Sequence, residues 1–185
     1  MDFLLRFGRV SGIAAGALIA VPGTIEAFTG ETTLTSVLIA VSPTFAFPLL
    51  TALYLTQRHR AGKLGPAGYA ANVIGLGLFG GAAFALNLVV FFTGGTPPTQ
   101  TRIALLCSVA VFCAGVLLFG ASLVKARVLP LVPSIAYGPA FFALAFASRL
   151  PDSPLTSGLH LLAGGAVCWL AVALGNRAGS AAPAS

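Results

Sequence analysis

The sequence predicts an all-α membrane protein, a bundle of six transmembrane helices with both termini in the cytoplasm. Three observations predict this fold: 57% of the residues are hydrophobic and 8% are charged, six long apolar runs alternate with short polar connections, and the basic residues fall mainly on one side. A soluble domain usually needs about 25% charged residues to cover its surface. Lipid is therefore the expected solvent for most of the chain.

The apolar runs are long enough to cross a hydrocarbon core of about 30 Å, which takes roughly 20 helical residues. Each run is predicted to be helical, because backbone groups in lipid must satisfy their own hydrogen bonds. The predicted helices cover about 10–29, 33–55, 66–92, 103–124, 129–148 and 155–175. The connections are short, so we expect one transmembrane domain over 1–177 and a disordered tail of small residues over 178–185.

The first run follows Arg6 and Arg9, and a secretory signal peptide also has a basic start and an apolar centre. A signal peptide has a shorter apolar core, however, and Ile25-Glu26-Ala27 lacks the small residue expected three places before a cleavage point. We therefore expect the first helix to remain in the membrane.

The distribution of Lys and Arg predicts the orientation, because short cytoplasmic loops retain positive charge. Only Arg102 and Arg149 of the ten basic residues fall on the predicted outer side. The other eight are Arg6, Arg9, Arg58, Arg60, Lys63, Lys125, Arg127 and Arg177. The formal charge of +6 is thus interpreted as a topology signal, and no nucleic-acid partner is predicted.

In general character the chain resembles the small, Ala- and Gly-rich polytopic proteins of high-GC bacteria. This resemblance covers composition and helix count, and no residue role follows from it. It implies a multi-pass protein of the bacterial plasma membrane, with the lipid bilayer as its first partner.

The cysteines and histidines do not form a recognisable site. Cys107, Cys113 and Cys168 fall inside apolar runs, and an odd count without a pairing pattern argues against a disulfide framework. His59 and His160 lie in different parts of the chain without metal-ligand spacing. Neither a metal nor a cofactor is predicted.

One group of polar residues is predicted to lie in the outer half of the membrane. Glu26 is the most informative, because an ionisable side chain within a span costs several kcal/mol and is by default a candidate for function. His160 and Asn87 fall at a similar predicted height, with Arg149 and Asp152 at the outer end of the fifth helix. We consider two interpretations: a shared outward-opening cavity, or separate polar residues near the interface.

These residues allow two classes of function. The first is a protein without intrinsic catalysis, either a small transporter of an apolar or weakly polar solute or a bundle that supports a partner. The alternative is a membrane-embedded enzyme on a lipophilic substrate, such as a proton-initiated isoprenoid cyclisation of the terpene cyclase type. In the enzyme, Glu26 would be the general acid with His160 and Asp152 as further catalytic groups, and Asn87 and Arg149 would bind substrate.

The structure around Glu26 is expected to separate these alternatives. A closed, aromatic-lined pocket would favour the enzyme, because aromatic faces stabilise cations. A polar path that continues to the cytoplasmic Asn72 would favour transport, and a filled bundle would favour the supporting role.

Glycines and prolines carry the remaining structural signals. Small residues at four-residue spacing allow helices to approach closely in lipid, within one chain or in a homo-oligomer. Such faces contain Gly12 with Gly16, Gly77 with Gly81, and the pair Gly164-Gly165.

Two weak repeat patterns conflict with each other. Phe28-Thr29-Gly30 and Phe92-Thr93-Gly94 suggest three parallel hairpins. Two prolines in the second predicted helix, Pro43 and Pro48, and two in the fifth, Pro133 and Pro139, suggest an inverted duplication instead.

Overall fold

The computed structural model describes residues 2–147 and 153–180, and every regular element in these residues is helical. The helices are α1 (Asp2–Thr29), α2 (Thr33–Gln57), α3 (Leu64–Phe84), α4 (Thr99–Ala126), α5 (Leu131–Ala147) and α6 (Pro154–Ser180). Helix α3 continues through a π-helical segment, Ala85–Val90, and a short α-helical turn, Phe91–Thr93. The predicted all-α membrane bundle is confirmed.

Five of these helices are long and apolar enough to cross a membrane. Helix α5 is also apolar, but its described part has 17 residues, which is the shortest of the six. At 1.5 Å per residue this described part is about 26 Å long, which is close to the lower limit for a membrane span.

The helices extend beyond the apolar runs that predicted them. Helix α1 begins at Asp2 rather than near residue 10, because backbone hydrogen bonding does not stop where the hydrocarbon core ends. Its first turns expose Phe3 and Phe7, whose rings stack with centroids 5.8 Å apart. Helix α6 continues to Ser180, into the segment 178–185 that is predicted to be a disordered tail, and residues 181–185 lie outside the described residues.

The six helices form a closed ring in chain order. Each helix packs against the next, and α6 packs back on α1; the seams between α3 and α4 and between α1 and α6 are the most extensive. The start of α1, the α2–α3 loop, the α4–α5 turn and the end of α6 share one end, called here the terminal end. The α1–α2 and α3–α4 connections lie at the opposite, distal end.

Glycines explain the two extensive seams. A Cβ atom on Gly16 would lie 2.5 Å from the carbonyl oxygen of Gly164, so α1 and α6 touch through their backbones. On the other side of the ring, a Cβ atom on Gly115 would lie 2.6 Å from the Cα of Asn72, which brings α4 against α3 in the same way. Such close approach increases van der Waals contact, which drives helix association in lipid.

Burial differs between the two sides of the ring at the distal end. In the chain from residue 83 to residue 111, which covers the distal parts of α3 and α4, no residue is buried. Helices α1, α2 and α6 in contrast bury Glu26, Ser36 and Thr156 at that end. The distal part of the bundle is therefore packed on the side of α1, α2 and α6.

The glycine pattern and the proline pattern that suggested internal repeats lie in different structural settings. Gly30 and Gly94 both end a helix in the left-handed conformation, with φ of 67° and 62°, which is a common helix end and weak evidence of duplication. Pro43 and Pro48 lie inside α2, and Pro139 lies inside α5, whereas Pro133 lies in the first turn of α5, where a missing N–H costs little.

Candidate functional site

Glu26 lies in the last turns of α1, near the distal end, and its side chain is only 6% exposed. Side chains on a helix lean toward its N-terminus, so Glu26 covers the preceding turn, which contains Gly23. The sequence has four carboxylate residues, and Glu26 is a buried one in the described part of the chain. Such burial is costly and marks a candidate for function.

His160 on α6 occupies the space that the absent side chain of Gly23 leaves. A Cβ atom on Gly23 would lie 2.5 Å from the Cβ of His160 and would overlap its imidazole ring. His160 thus packs on α1 three residues before Glu26, which is itself buried. Of the predicted site residues, Glu26 and His160 therefore lie within one turn of each other along α1, and we call them the acid–imidazole pair.

The hydrogen bond of His160 fixes the role of each ring nitrogen. Its Nδ1 lies 2.8 Å from the backbone carbonyl oxygen of Thr156, one turn earlier. A carbonyl oxygen only accepts hydrogen bonds, so Nδ1 carries a proton in this contact. Nε2 is the other ring nitrogen that can bind a proton.

Asn87 lies on a different helix from these two residues, in the π-helical segment that follows α3. Its Nδ2 donates to the carbonyl oxygen of Ala83 at 2.9 Å, within the same helix. The segment packs against α2 and the neighbouring turns of its own helix, whereas the acid–imidazole pair is on α1 and α6. The Asn87 side chain therefore bonds within its own helix, and its predicted role in binding substrate stays a prediction. Arg149 and Asp152, the other two predicted site residues, lie outside the described residues.

A second polar group lies near the terminal end, and it was not among the predicted site residues. Gln57 on α2 donates from Nε2 to the Oγ of Ser122 on α4 at 2.9 Å. Asn72 on α3 donates from Nδ2 to the hydroxyl of Tyr137 on α5 at 2.7 Å. These four residues are buried, and we call them the amide layer.

Each amide of this layer keeps one polar atom without a partner among the described residues. These atoms are the Oε1 of Gln57, which is 1% exposed, and the Oδ1 of Asn72, which is fully buried. Rotating the Asn72 amide would not remove the deficit, because one of its two groups would still face away from Tyr137. Buried polar groups nearly always have partners, so both acceptors call for an explanation.

Aromatic side chains pack together inside the bundle and include Tyr137 of the amide layer. Successive ring contacts, with centroids 4.4 to 6.5 Å apart, connect seven residues from α2 to α5. They are Tyr54, Tyr69, Phe119, Tyr137, Phe141, Phe112 and Phe79. Two of these six contacts are stacked face to face, and the other four are tilted or edge to face.

Two grooves open toward the lipid. One, of about 250 Å³, lies between α2 and α3 and is lined in part by Pro43, Gly77 and Phe84. The other, of about 420 Å³, lies between α4 and α5. Neither is lined by Glu26 or His160. Within residues 2–147 and 153–180, no three His, Cys, Asp or Glu side chains are grouped as metal ligands.

Sequence reasoning missed most of the amide layer because its signals are weak. Gln57 falls just past the end of its predicted helix and reads as a loop residue. Asn72 is an amide inside an apolar run, and that signal was available. Ser122 and Tyr137 carry single hydroxyls, and such residues are common in spans without a special role.

No protein family model matches the chain, and neither a curated protein nor a solved structure shows significant similarity to it.

Proposed function

We propose that the protein is a small transporter for a weakly polar solute, in which the acid–imidazole pair exchanges protons. The observation that carries this proposal is the burial of Glu26 within one turn of the glycine of α1 against which His160 packs. Neither groove joins Glu26 to Asn72, so transport would require the helices to move apart. A bundle that only supports a partner has no need for a buried carboxylate, because an apolar side chain would cost less.

We place the protein in the plasma membrane of a bacterium, with the terminal end in the cytoplasm. Eight of the ten Lys and Arg fall at that end, which agrees with the retention of positive charge in cytoplasmic loops. The acid–imidazole pair then lies in the outer half of the membrane and the amide layer in the inner half.

The two polar groups would serve different steps. Glu26 and the Nε2 of His160 would take up or release protons from the outer side, with Arg149 and Asp152 as candidate partners at the same end. The amide oxygens of Gln57 and Asn72 accept hydrogen bonds and cannot change charge. They would bind a solute that carries hydroxyl or N–H groups.

The enzyme alternative has less support. Carbocation chemistry needs aromatic faces that line a pocket, and the seven connected rings pack against each other instead. The two grooves open to lipid and do not include Glu26.

The proposal is tested with Glu26→Gln, which keeps the shape and removes the titratable group. The wild-type protein is placed in vesicles that contain a pH-sensitive dye, and a panel of alcohols, amides and amines is added outside. We expect at least one compound to cause proton flux, and we expect Glu26→Gln to reduce that flux on the order of 100-fold.

Glu31→Gln is the matched control, because Glu31 is also at the distal end but accepts a hydrogen bond from Ser36 at 2.7 Å outside the α1–α6 seam. It should retain the flux. Flux that is equal in Glu26→Gln and wild type would refute the role of the pair. Conversion of an added isoprenoid into a cyclic product would favour the enzyme.

A further inference from the structure

The lipid-facing groove between α4 and α5 lies near the terminal end. Its walls are apolar and face the lipid, with Leu117 41% and Ile135 51% exposed. Its base is narrow because α4 and α5 cross at two glycines: a Cβ atom on Gly120 would lie 3.2 Å from the backbone nitrogen of Gly138. The small side chain of Ala121 leaves the groove open on the α4 side.

Lys125 lies at the terminal end of this groove, where α4 ends. From Leu117 to Lys125 the helix rises about 12 Å, at 1.5 Å for each of its residues. One leaflet of the hydrocarbon core is about 15 Å thick. The groove therefore covers most of the depth of one leaflet, with a cation at the level of the headgroups.

Two loops bring further positive charge to this place. Ala61 of the α2–α3 loop is buried against Ala126 and Val128, so this loop lies under the α4–α5 turn. A Cβ atom on Gly62 would lie 3.8 Å from the Nζ of Lys125. The basic residues of the two connections are Arg58, Arg60, Lys63, Lys125 and Arg127.

The two glutamates, Glu26 and Glu31, are both at the distal end. Asp2 begins α1 at the terminal end, and it is not among the residues that line the groove. A cluster of basic residues beside a membrane surface attracts anionic lipids.

We propose that the groove between α4 and α5 binds one anionic phospholipid, with an acyl chain along Ala121 and Ile135 and the phosphate on Lys125. The groove supplies the apolar length, and Lys125 supplies the charge at the correct depth. This proposal does not depend on the transport function, because it uses none of the residues of the acid–imidazole pair or the amide layer.

Native mass spectrometry of the purified protein tests the proposal, with phosphatidylglycerol and phosphatidylcholine of the same acyl chains as competing probes. We expect one molecule of phosphatidylglycerol to be retained in preference to phosphatidylcholine. Lys125→Gln should lower that preference about fivefold, the effect of one basic residue near a membrane surface. Ala121→Phe should fill the groove and reduce retention of the same lipid without any change in charge.

Two control variants separate a site from general attraction. Arg6→Gln removes one exposed positive charge at the same end, on α1, and Leu118→Phe enlarges an exposed side chain on α4; neither residue lines the groove. Both should retain the lipid. The proposal is overturned if Arg6→Gln and Lys125→Gln weaken retention equally, if Ala121→Phe has no effect, or if the two lipids are retained equally.

Discussion

The two polar levels of the bundle differ in their chemistry. Near the distal end, Glu26 is a buried ionisable group on α1, and His160 of α6 packs against Gly23 one turn earlier. The amide layer contains only amides and hydroxyls, which form hydrogen bonds between α2 and α4 and between α3 and α5. A group at the first level can change its charge, whereas a group at the second can only change its hydrogen-bond partner.

This small bundle therefore buries polar side chains in two ways. The acid–imidazole pair depends on a glycine that leaves room for a ring, so its geometry is set by the spacing of two helices. The amide layer depends on hydrogen bonds that cross the ring of helices. A carboxylate placed in the amide layer, an amide placed at Glu26, and the loss of a helix contact or hydrogen bond should therefore change stability by different amounts.

The largest effect is expected where a seam is closed by backbone contact. Gly115→Leu would force α4 away from Asn72, and Gly16→Leu would separate α1 from α6 in the same way. We expect each to lower the free energy of unfolding by about 3 kcal/mol or more, because neighbouring backbone cannot yield as a side chain can.

Thermal unfolding in detergent measures the loss. Gly81→Leu is the control, because a Cβ atom there would have no atom among the described residues within 4 Å. If Gly81→Leu were as damaging as Gly115→Leu, the seams would not be the source of the effect.

The next effect tests whether the amide layer tolerates charge. In Gln57→Glu an ionised carboxylate could not donate to the Oγ of Ser122, which itself donates to the carbonyl oxygen of Phe119 at 2.8 Å. We expect a loss of about 2 to 3 kcal/mol from the lost bond and the buried charge. Glu26→Gln, the reverse change at the distal level, should cost less than about 1 kcal/mol. If the two substitutions lowered the free energy of unfolding equally in the same assay, the two levels would not differ in their tolerance of charge.

A smaller effect is expected from single removal of a hydrogen bond in the amide layer. Tyr137→Phe would leave both polar groups of the buried Asn72 amide without a partner, at a cost of about 1 to 2 kcal/mol. The double variant with Asn72→Leu should recover most of this loss, since no buried polar group then remains. A double-mutant cycle of unfolding free energies measures the coupling, and strictly additive losses would contradict it.

The smallest effect is expected at Asn87, which bonds only within its own helix. Asn87→Leu should change the unfolding free energy by less than about 0.5 kcal/mol, because the side chain is half-exposed at the distal end. It should also leave solute-dependent proton flux unchanged. A loss of flux similar to that of Glu26→Gln would extend the site to α3.

The fold could be predicted from apolar length, because lipid forces every span to be helical. The start of α1 could not, since its first turns lie outside the apolar run and are held by packing, as where Arg9 lies against Gly175. Glu26 and His160 could be chosen because ionisable residues are rare in spans, but the packing of His160 on Gly23 depends on how α1 and α6 rotate about their axes. That rotation follows from the glycine contacts, which a sequence does not specify.

The closed ring has a consequence for biogenesis. Helices α2 to α5 can each pack on the helix made just before, but the extensive seam between α1 and α6 can form only after α6 has been inserted. Until then the face of α1 that carries Gly16 and Gly23 has no protein partner from α6 and meets lipid or an insertion factor. Insertion of α6 therefore closes the ring, and a chain arrested before residue 154 would leave Gly23 without the imidazole that covers it.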